Sequence, residues 1–387
     1  MPTQIKLNVF RALLITQGIE ISFLGSGRLL QFGPFTLRMY LFIAAILLSF
    51  SFISKVHREV LLIMGLIVFS FCMSLLVGLL RGNSLSLIFD DISPLLFLLG
   101  LPFVHYTVNR HPETMRMLAS VFEKSSLVIA IMFAFIVAFI LAGFISFRSF
   151  YLWAFSTGEF FFRPLGNGSF GVGFFYKGFI YLGLGFFFYF FSQNKPKNSV
   201  IAAFLALALA LTLTRGLVLC LFLTLIVYYL FERRKKSLFI ITIMVGLAYF
   251  SVDTYMSFLG NKEASDSVRI DDMVYILNNT SLLTLITGNG FGSLINNRVS
   301  VENSFLEIAY IQGLIGLTPY MIIFYKSYSY YFRIDKENRL KFSPFFYGII
   351  FVSLLSFTNP VINNPLGIFF MIVGFSVLSN SRIISNK

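Results

Sequence analysis

The side chains of this chain best placed, by type and position, to do chemistry are Arg215, at a step between two apolar segments, and Glu302, a carboxylate where a long polar stretch turns apolar again. Arg215 stands in Leu-Thr-Leu-Thr-Arg-Gly at 211–216, between two apolar segments that are each short for a membrane span. A charge at membrane depth costs at least about 2.5 kcal/mol, so such a residue faces a cavity, a partner or an interfacial turn. Gly216 gives the backbone room beside it. Arg269 lies in the longest polar stretch, 255–303, with Lys262, Glu263, Asp266, Asp271, Asp272, Arg298 and Glu302. Long polar loops in tight helical bundles are more often functional than idle. The stretch ends in the glycine-rich turn Thr287-Gly288-Asn289-Gly290-Phe291-Gly292, a weak signal by itself. Glu302 and Asn303 follow where the chain turns apolar again, with Glu307 deeper in the same run. A carboxylate at the edge of a dry region suits general acid or base work, and an arginine fork suits phosphate oxygens.

The elements that must hold these residues are helices in a membrane. The 387 residues are 57% hydrophobic and 12% charged, with a mean hydropathy of +0.83. A soluble domain sits near about 45–50% apolar and about 25% charged, so the excess implies that lipid covers most of the surface. The 50 phenylalanines read as lipid-facing bulk. We read an all-α, polytopic bundle of about twelve spans, at roughly 8–26, 36–54, 60–80, 87–106, 121–147, 170–192, 198–213, 216–231, 238–254, 304–326, 343–358 and 366–381. The first is the weakest, because Gln17 and Glu20 interrupt it. Residues 1–387 form a single integral membrane domain, with 255–303 a large loop within it.

The net charge of +13 could suggest a nucleic-acid binder, but the basic residues fall in short clusters between apolar runs. The clusters at 55–58, 110–124, 195–197, 233–236, 333–341 and 382–387 all reach one side when twelve spans alternate. The positive-inside rule makes that side cytoplasmic, with both termini on it, and excludes nucleic acid as the reason for the charge. Ten basic residues then lie toward the other side: Arg28, Arg38, Arg81, Arg148, Arg163, Lys177, Arg215, Lys262, Arg269 and Arg298. Eight are arginine, which favours a phosphate-bearing ligand there, because a rigid planar fork grips phosphate where a lysine is only a point charge. Arg28, Arg38 and Arg148 fit snorkelling to lipid headgroups equally well. Cys72 and Cys220 read as small buried hydrophobes, and no His, Cys or Asp spacing suggests a metal site. Lys6 and Arg11 precede an apolar run without a small-residue cleavage site, so the first helix is read as retained. Gly313 and Gly316 suit close helix packing.

Three features in order resemble the bacterial O-antigen polymerases and the related O-antigen ligases. The Thr-Arg-Gly step at 214–216 is similar to that family's helix-pair junction. The outer loop, with Arg269 and the glycine turn at 288–292, is the second feature. The third is Glu302-Asn303-Ser304-Phe305-Leu306 followed by Gly313-Leu314-Ile315-Gly316, similar to the family's re-entry segment. The likeness covers 211–316; before residue 200 it is one of hydropathy and topology alone. It implies an inverting, metal-independent glycosyltransferase that needs no cofactor. The substrate would be an undecaprenyl-pyrophosphate-linked oligosaccharide, used at the periplasmic face of the bacterial inner membrane. Arg215 and Arg269 would hold the pyrophosphate, Glu302 would be the catalytic base, and Asn303, Arg298, Arg163, Arg81 and Lys177 would line the substrate. Membrane lipid and a chain-length regulator protein are the implied partners. Ligases carry His where this chain has Glu302, and no outward histidine replaces it, which favours a polymerase. A ligase of the same family, or a lipid-linked oligosaccharide flippase or other transporter, stays open on these residues. Transporters, however, usually show pseudo-symmetric halves, and here the polar residues concentrate in one late loop.

Overall fold

The computed structural model describes residues 2–385 except 26, 28, 33–34, 163–173, 193–195 and 233–262. Arg28, Arg163, Lys262 and the apolar stretch 238–254 thus lie outside the described residues. The rest is mostly helical, with two short hairpins and irregular turns between the helices. In chain order the elements are α1 (Pro2–Phe23), β1 (Gln31–Phe32), β2 (Phe35–Thr36), α2 (Leu37–Ser49), α3 (Arg58–Leu80), α4 (Leu85–Leu95), α5 (Leu101–Arg110), α6 (Pro112–Leu141), α7 (Phe147–Thr157), β3 (Phe160–Phe162), β4 (Phe174–Tyr176), α8 (Ile180–Phe191), α9 (Pro196–Leu211) and α10 (Arg215–Glu232). They continue with α11 (Glu263–Asn278), α12 (Leu282–Thr287), α13 (Ser304–Arg333), α14 (Lys336–Leu355) and α15 (Pro365–Ser385). Each hairpin is antiparallel, β1 with β2 and β3 with β4.

Among the described residues, five helical stretches are long and apolar enough to cross a membrane: Arg58–Leu80, Leu85–Arg110, Pro112–Leu141, Arg215–Glu232 and Ser304–Arg333. Leu37–Ser49, Lys177–Phe191, Pro196–Leu211 and Pro365–Asn380 are apolar but shorter. Leu85–Arg110 is broken internally by a physical cause. Pro94 withdraws a backbone donor from α4, the chain tightens into a 3-10 turn at Leu96–Gly100, and α5 restarts with a proline in its first turn.

Packing follows from aromatic volume. α8 is buried from Ile180 to Tyr189, wedged between α6, α9 and α14. α15 is enclosed by α5, α13 and α14. Phe122, Tyr181, Phe187, Tyr347 and Phe351 are among the largest fully buried side chains. The expectation that phenylalanine is lipid-facing bulk is therefore corrected. Among the described residues, buried phenylalanines outnumber strongly exposed ones, because planar rings in offset and edge-on contact fill the gaps between helices. Cys220 is buried as expected, but Cys72 is exposed, since α3 turns that flank outward.

The polar residues that weakened the first span have partners. Arg38 of α2 donates from Nε to Glu20 Oε2 at 2.8 Å and from Nη2 to Glu20 Oε1 at 3.2 Å. It also donates to the Gly25 carbonyl at 2.5 Å. Gln17 donates to the Leu41 carbonyl at 3.0 Å. Arg38 and Glu20 are 3% and 2% exposed, so this arginine does not snorkel; it locks α2 against α1. The described part of the 255–303 loop is also more ordered than an open polar loop. It contains α11 and α12, and α12 packs on α13 and α3.

Candidate functional site

The site is built on a break in α13. Gly313 has φ +67°, a left-handed conformation that a side chain resists, and a Cβ there would press on the Ile286 carbonyl. The break frees the Tyr310 and Ile311 carbonyls from the helix ladder. The backbone N–H groups of Asn289 and Gly290 bond them, each at 2.8 Å. The glycine turn is thereby sewn to α13, and its far side is sewn to α3 and α4. Phe291 N–H donates to the Ser74 carbonyl at 3.0 Å, and Gly78 leaves room for the Phe291 backbone. Asn83 donates to the Phe291 carbonyl at 2.8 Å, and Gly292 N–H donates to Asp91 Oδ2 at 2.7 Å. Arg81 donates to the Asn289 side chain within this seam. Gly313 thus serves close packing as expected, and the atoms nearest a Cβ at the buried Gly316 belong to Gln312, one turn back on the same helix.

From this anchor the chain reaches Asn296 and Asn297, with φ +48° and +62°. Asparagine tolerates this region better than other side chains, and the tight turn pairs Ile295 with Arg298. Arg298 is turned onto α11, where Nη1 meets Asp272 Oδ2 at 2.5 Å. Burial holds the Asp272 carboxyl above the usual carboxylate range, against the opposing pull of Arg298; Asp271 and Glu302 push the same way as burial. One turn back on α11, Arg269 donates from Nε to Glu302 Oε2 at 2.5 Å, and Nη2 reaches the same oxygen. This pair is 42% and 39% exposed.

The re-entry corner is clamped from below. Asn303 caps α13 by accepting the Leu306 N–H at 3.1 Å. Glu307 is buried; Oε2 accepts the Val301 N–H at 2.9 Å and Oε1 accepts from Asn363 at 2.8 Å. Ser304 donates to Asn363 Oδ1 at 3.0 Å and accepts the Val361 N–H at 2.9 Å, and its own N–H reaches the Ser356 carbonyl at 2.9 Å. The turn between α14 and α15 also meets the start of α10: a Cβ at Gly216 would lie 2.8 Å from both Asn359 Nδ2 and Thr358 Oγ1. The Arg215–Gly216 step therefore sits against the corner onto which Ser304 is bonded.

Arg269, Glu302, Asn303 and Arg298 are thus gathered at one corner, with Arg215 joined through 358–359 and Arg81 through Asn289. Lys177 belongs to another corner, with its ammonium 5.5 Å from the Phe161 ring centre and its N–H on the Glu159 carbonyl. Arg163 lies outside the described residues. Sequence reasoning passed over Asp91, Asn359 and Asn363, and named Asp272 and Asn289 only as members of the polar stretch and of the glycine turn. The readable signal for Asn359 and Asn363 was Asn359-Pro360-Val361-Ile362-Asn363-Asn364-Pro365, a turn run between apolar helices.

These elements define a multi-pass helical membrane protein with arginines, carboxylates and amides gathered at one end of its bundle. No family model matches the chain. It is 33% identical over 376 residues to the O-antigen polymerase of Shigella flexneri, covering 93% of this chain and 92% of the relative. The chain belongs to the O-antigen polymerase family.

Proposed function

We propose that this protein is a surface-polysaccharide polymerase, a glycosyltransferase that joins undecaprenyl-pyrophosphate-linked repeat units. It would lie in the bacterial inner membrane as one twelve-span domain with both termini cytoplasmic and 255–303 periplasmic. The observation that carries the reading is the exposed Arg269–Glu302 pair in a chain 33% identical to an O-antigen polymerase; Gly216, next to Arg215, meets the 358–359 turn to which Ser304 is bonded.

The pair suggests how donor and acceptor are used. Arg269 and Glu302 neutralise one another at rest. A donor diphosphate recruits Arg269, together with Arg215, and leaves the Glu302 carboxylate unpaired. Glu302 then takes the proton of the acceptor sugar hydroxyl as its oxygen attacks the anomeric carbon from the face opposite the diphosphate. The bond from that carbon to the phosphate oxygen breaks, and its electron pair leaves with the diphosphate. The guanidinium groups offset the charge that grows there, a form of preorganised electrostatic stabilisation. Bond energy resides in the donor and inversion needs one displacement, so neither cofactor nor metal has a step to perform. Arg298, Arg81 and Asn303 orient the sugars, and a chain-length regulator is the partner protein of such a polymerase.

Arg215→Ala, Arg269→Ala and Glu302→Gln are each expected to abolish chain extension in a polymerase-deletion strain, with the protein still present in the membrane. Full-length polymer from all three would overturn the assignment. Single capped units in place of ladders from the wild-type protein would instead favour a ligase.

A further inference from the structure

Away from the site, α7 presents a surface that the bundle does not cover. Its inward side is Phe150 and Ala154, 6% and 0% exposed. Phe150 packs on Phe174 of β4 with ring centres 5.0 Å apart and on Phe160 of β3 at 5.9 Å. The hairpin is tied to the bundle in turn, because Tyr176 donates to the Phe23 carbonyl at 2.6 Å. The outward side holds Leu152, Trp153 and Phe155, 59%, 54% and 66% exposed, with Arg148, Ser149 and Ser156.

Three observations say what covers this face. First, α7 continues a lipid-facing surface. α6 is apolar and long enough to cross a membrane, its last turns expose Phe135, Phe139 and Leu141, and Phe144 and Ile145 lead on to the Ser146 cap. Second, at 11 residues α7 is about 16 Å long, half of what a span needs, so it cannot itself cross. Third, the face combines tryptophan and large apolar groups with two hydroxyls, and its only charge is a cation. That is the composition that settles at headgroup level, where rings reach the acyl chains and a guanidinium meets lipid phosphate.

We propose that α7 is an interfacial anchor that lies in the plane of a phospholipid surface. Leu152, Trp153 and Phe155 enter the acyl boundary, Arg148 meets headgroup phosphate, and the β3–β4 hairpin holds the α1–α2 corner at that height.

The chain supplies its own probe, because Trp153 is its single tryptophan. The full-length protein is reconstituted in phosphatidylethanolamine–phosphatidylglycerol vesicles carrying lipids brominated either just below the headgroup or near the chain end. Expected are stronger loss of tryptophan emission with the shallow bromines and little loss with aqueous iodide. Arg148→Glu should increase the iodide loss, and Trp153→Phe should remove the signal. Strong iodide quenching without bromine quenching would place α7 in water and overturn the proposal. Insensitivity to every quencher would mean that a protein partner or second copy covers the face, which also overturns it, as would maximal quenching by the deep bromines.

Discussion

Two arginine–glutamate pairs of the same chemistry stand at the same end of the bundle and do different things. Tyr181, at the start of α8 in the α1–α2–α8 corner, donates to the Leu366 carbonyl at 3.0 Å, next to the turn that holds Ser304 and Glu307, so the two corners share one end. The Arg38–Glu20 pair is sealed, bidentate and backed by the Gly25 carbonyl. The Arg269–Glu302 pair is open to exchange, with two-fifths of each side chain exposed. Burial separates them. Breaking a sealed pair strands a charge in a dry region, whereas an exposed pair gives up one partner for water or a ligand at little cost. A locked pair suits architecture; an open one suits a site that must bind and release an anion.

That contrast can be broken by measurement. The largest effect should be on turnover: Glu302→Gln should lower chain extension by at least about a hundredfold, the scale of losing a general base, without lowering the melting temperature in detergent. If Glu302→Gln melts early and residual activity tracks folded protein, the open pair is architectural after all. Next in size, Arg38→Ala or Glu20→Ala should cost about 3–5 kcal/mol of stability, seen as a much lower melting temperature and less protein in the membrane. Unchanged melting would show that water reaches that corner. Gly313→Ala should cost about 1–3 kcal/mol through its left-handed backbone. It should also cut activity, because the glycine turn would lose its seat on the Tyr310 and Ile311 carbonyls. Smallest is the exchange Arg269→Glu with Glu302→Arg. It restores an exposed pair worth up to about 1 kcal/mol, so melting should stay near wild type while polymer stays absent. Recovery of polymer would refute distinct roles for the two side chains.

How much was legible can be read from single residues. Arg215 and Glu302 stood out because charge is conspicuous beside apolar runs, Asn303 because it precedes such a run, and Arg269 only through its place in the loop of the resembling family. Asp91 and Asn289 did not stand out. An aspartate in an apolar segment and an asparagine in a glycine turn look ordinary until the turn is seen docked between α3 and α13. Arg38 and Glu20 misled in the other direction. Eighteen positions apart, they looked like an interfacial arginine and a weakness in the first span, yet each is the other's partner. Phenylalanine misled for a simpler reason: composition cannot tell a ring facing lipid from a ring facing another helix, since both surroundings are apolar.

By itself the sequence determined the solvent of this protein, the approximate positions of its helices and the family motifs between 211 and 316, because hydropathy and local residue type act over one or two helical turns. The tertiary structure decided which charges meet. Pairing joins residues distant in the chain, such as Arg269 with Glu302 and Arg38 with Glu20, and depends on kinks and turns, above all the break at Gly313, that bring separate helices to one corner. It also decided which pair is dry and which is wet, and that difference in water separates a structural lock from a candidate site.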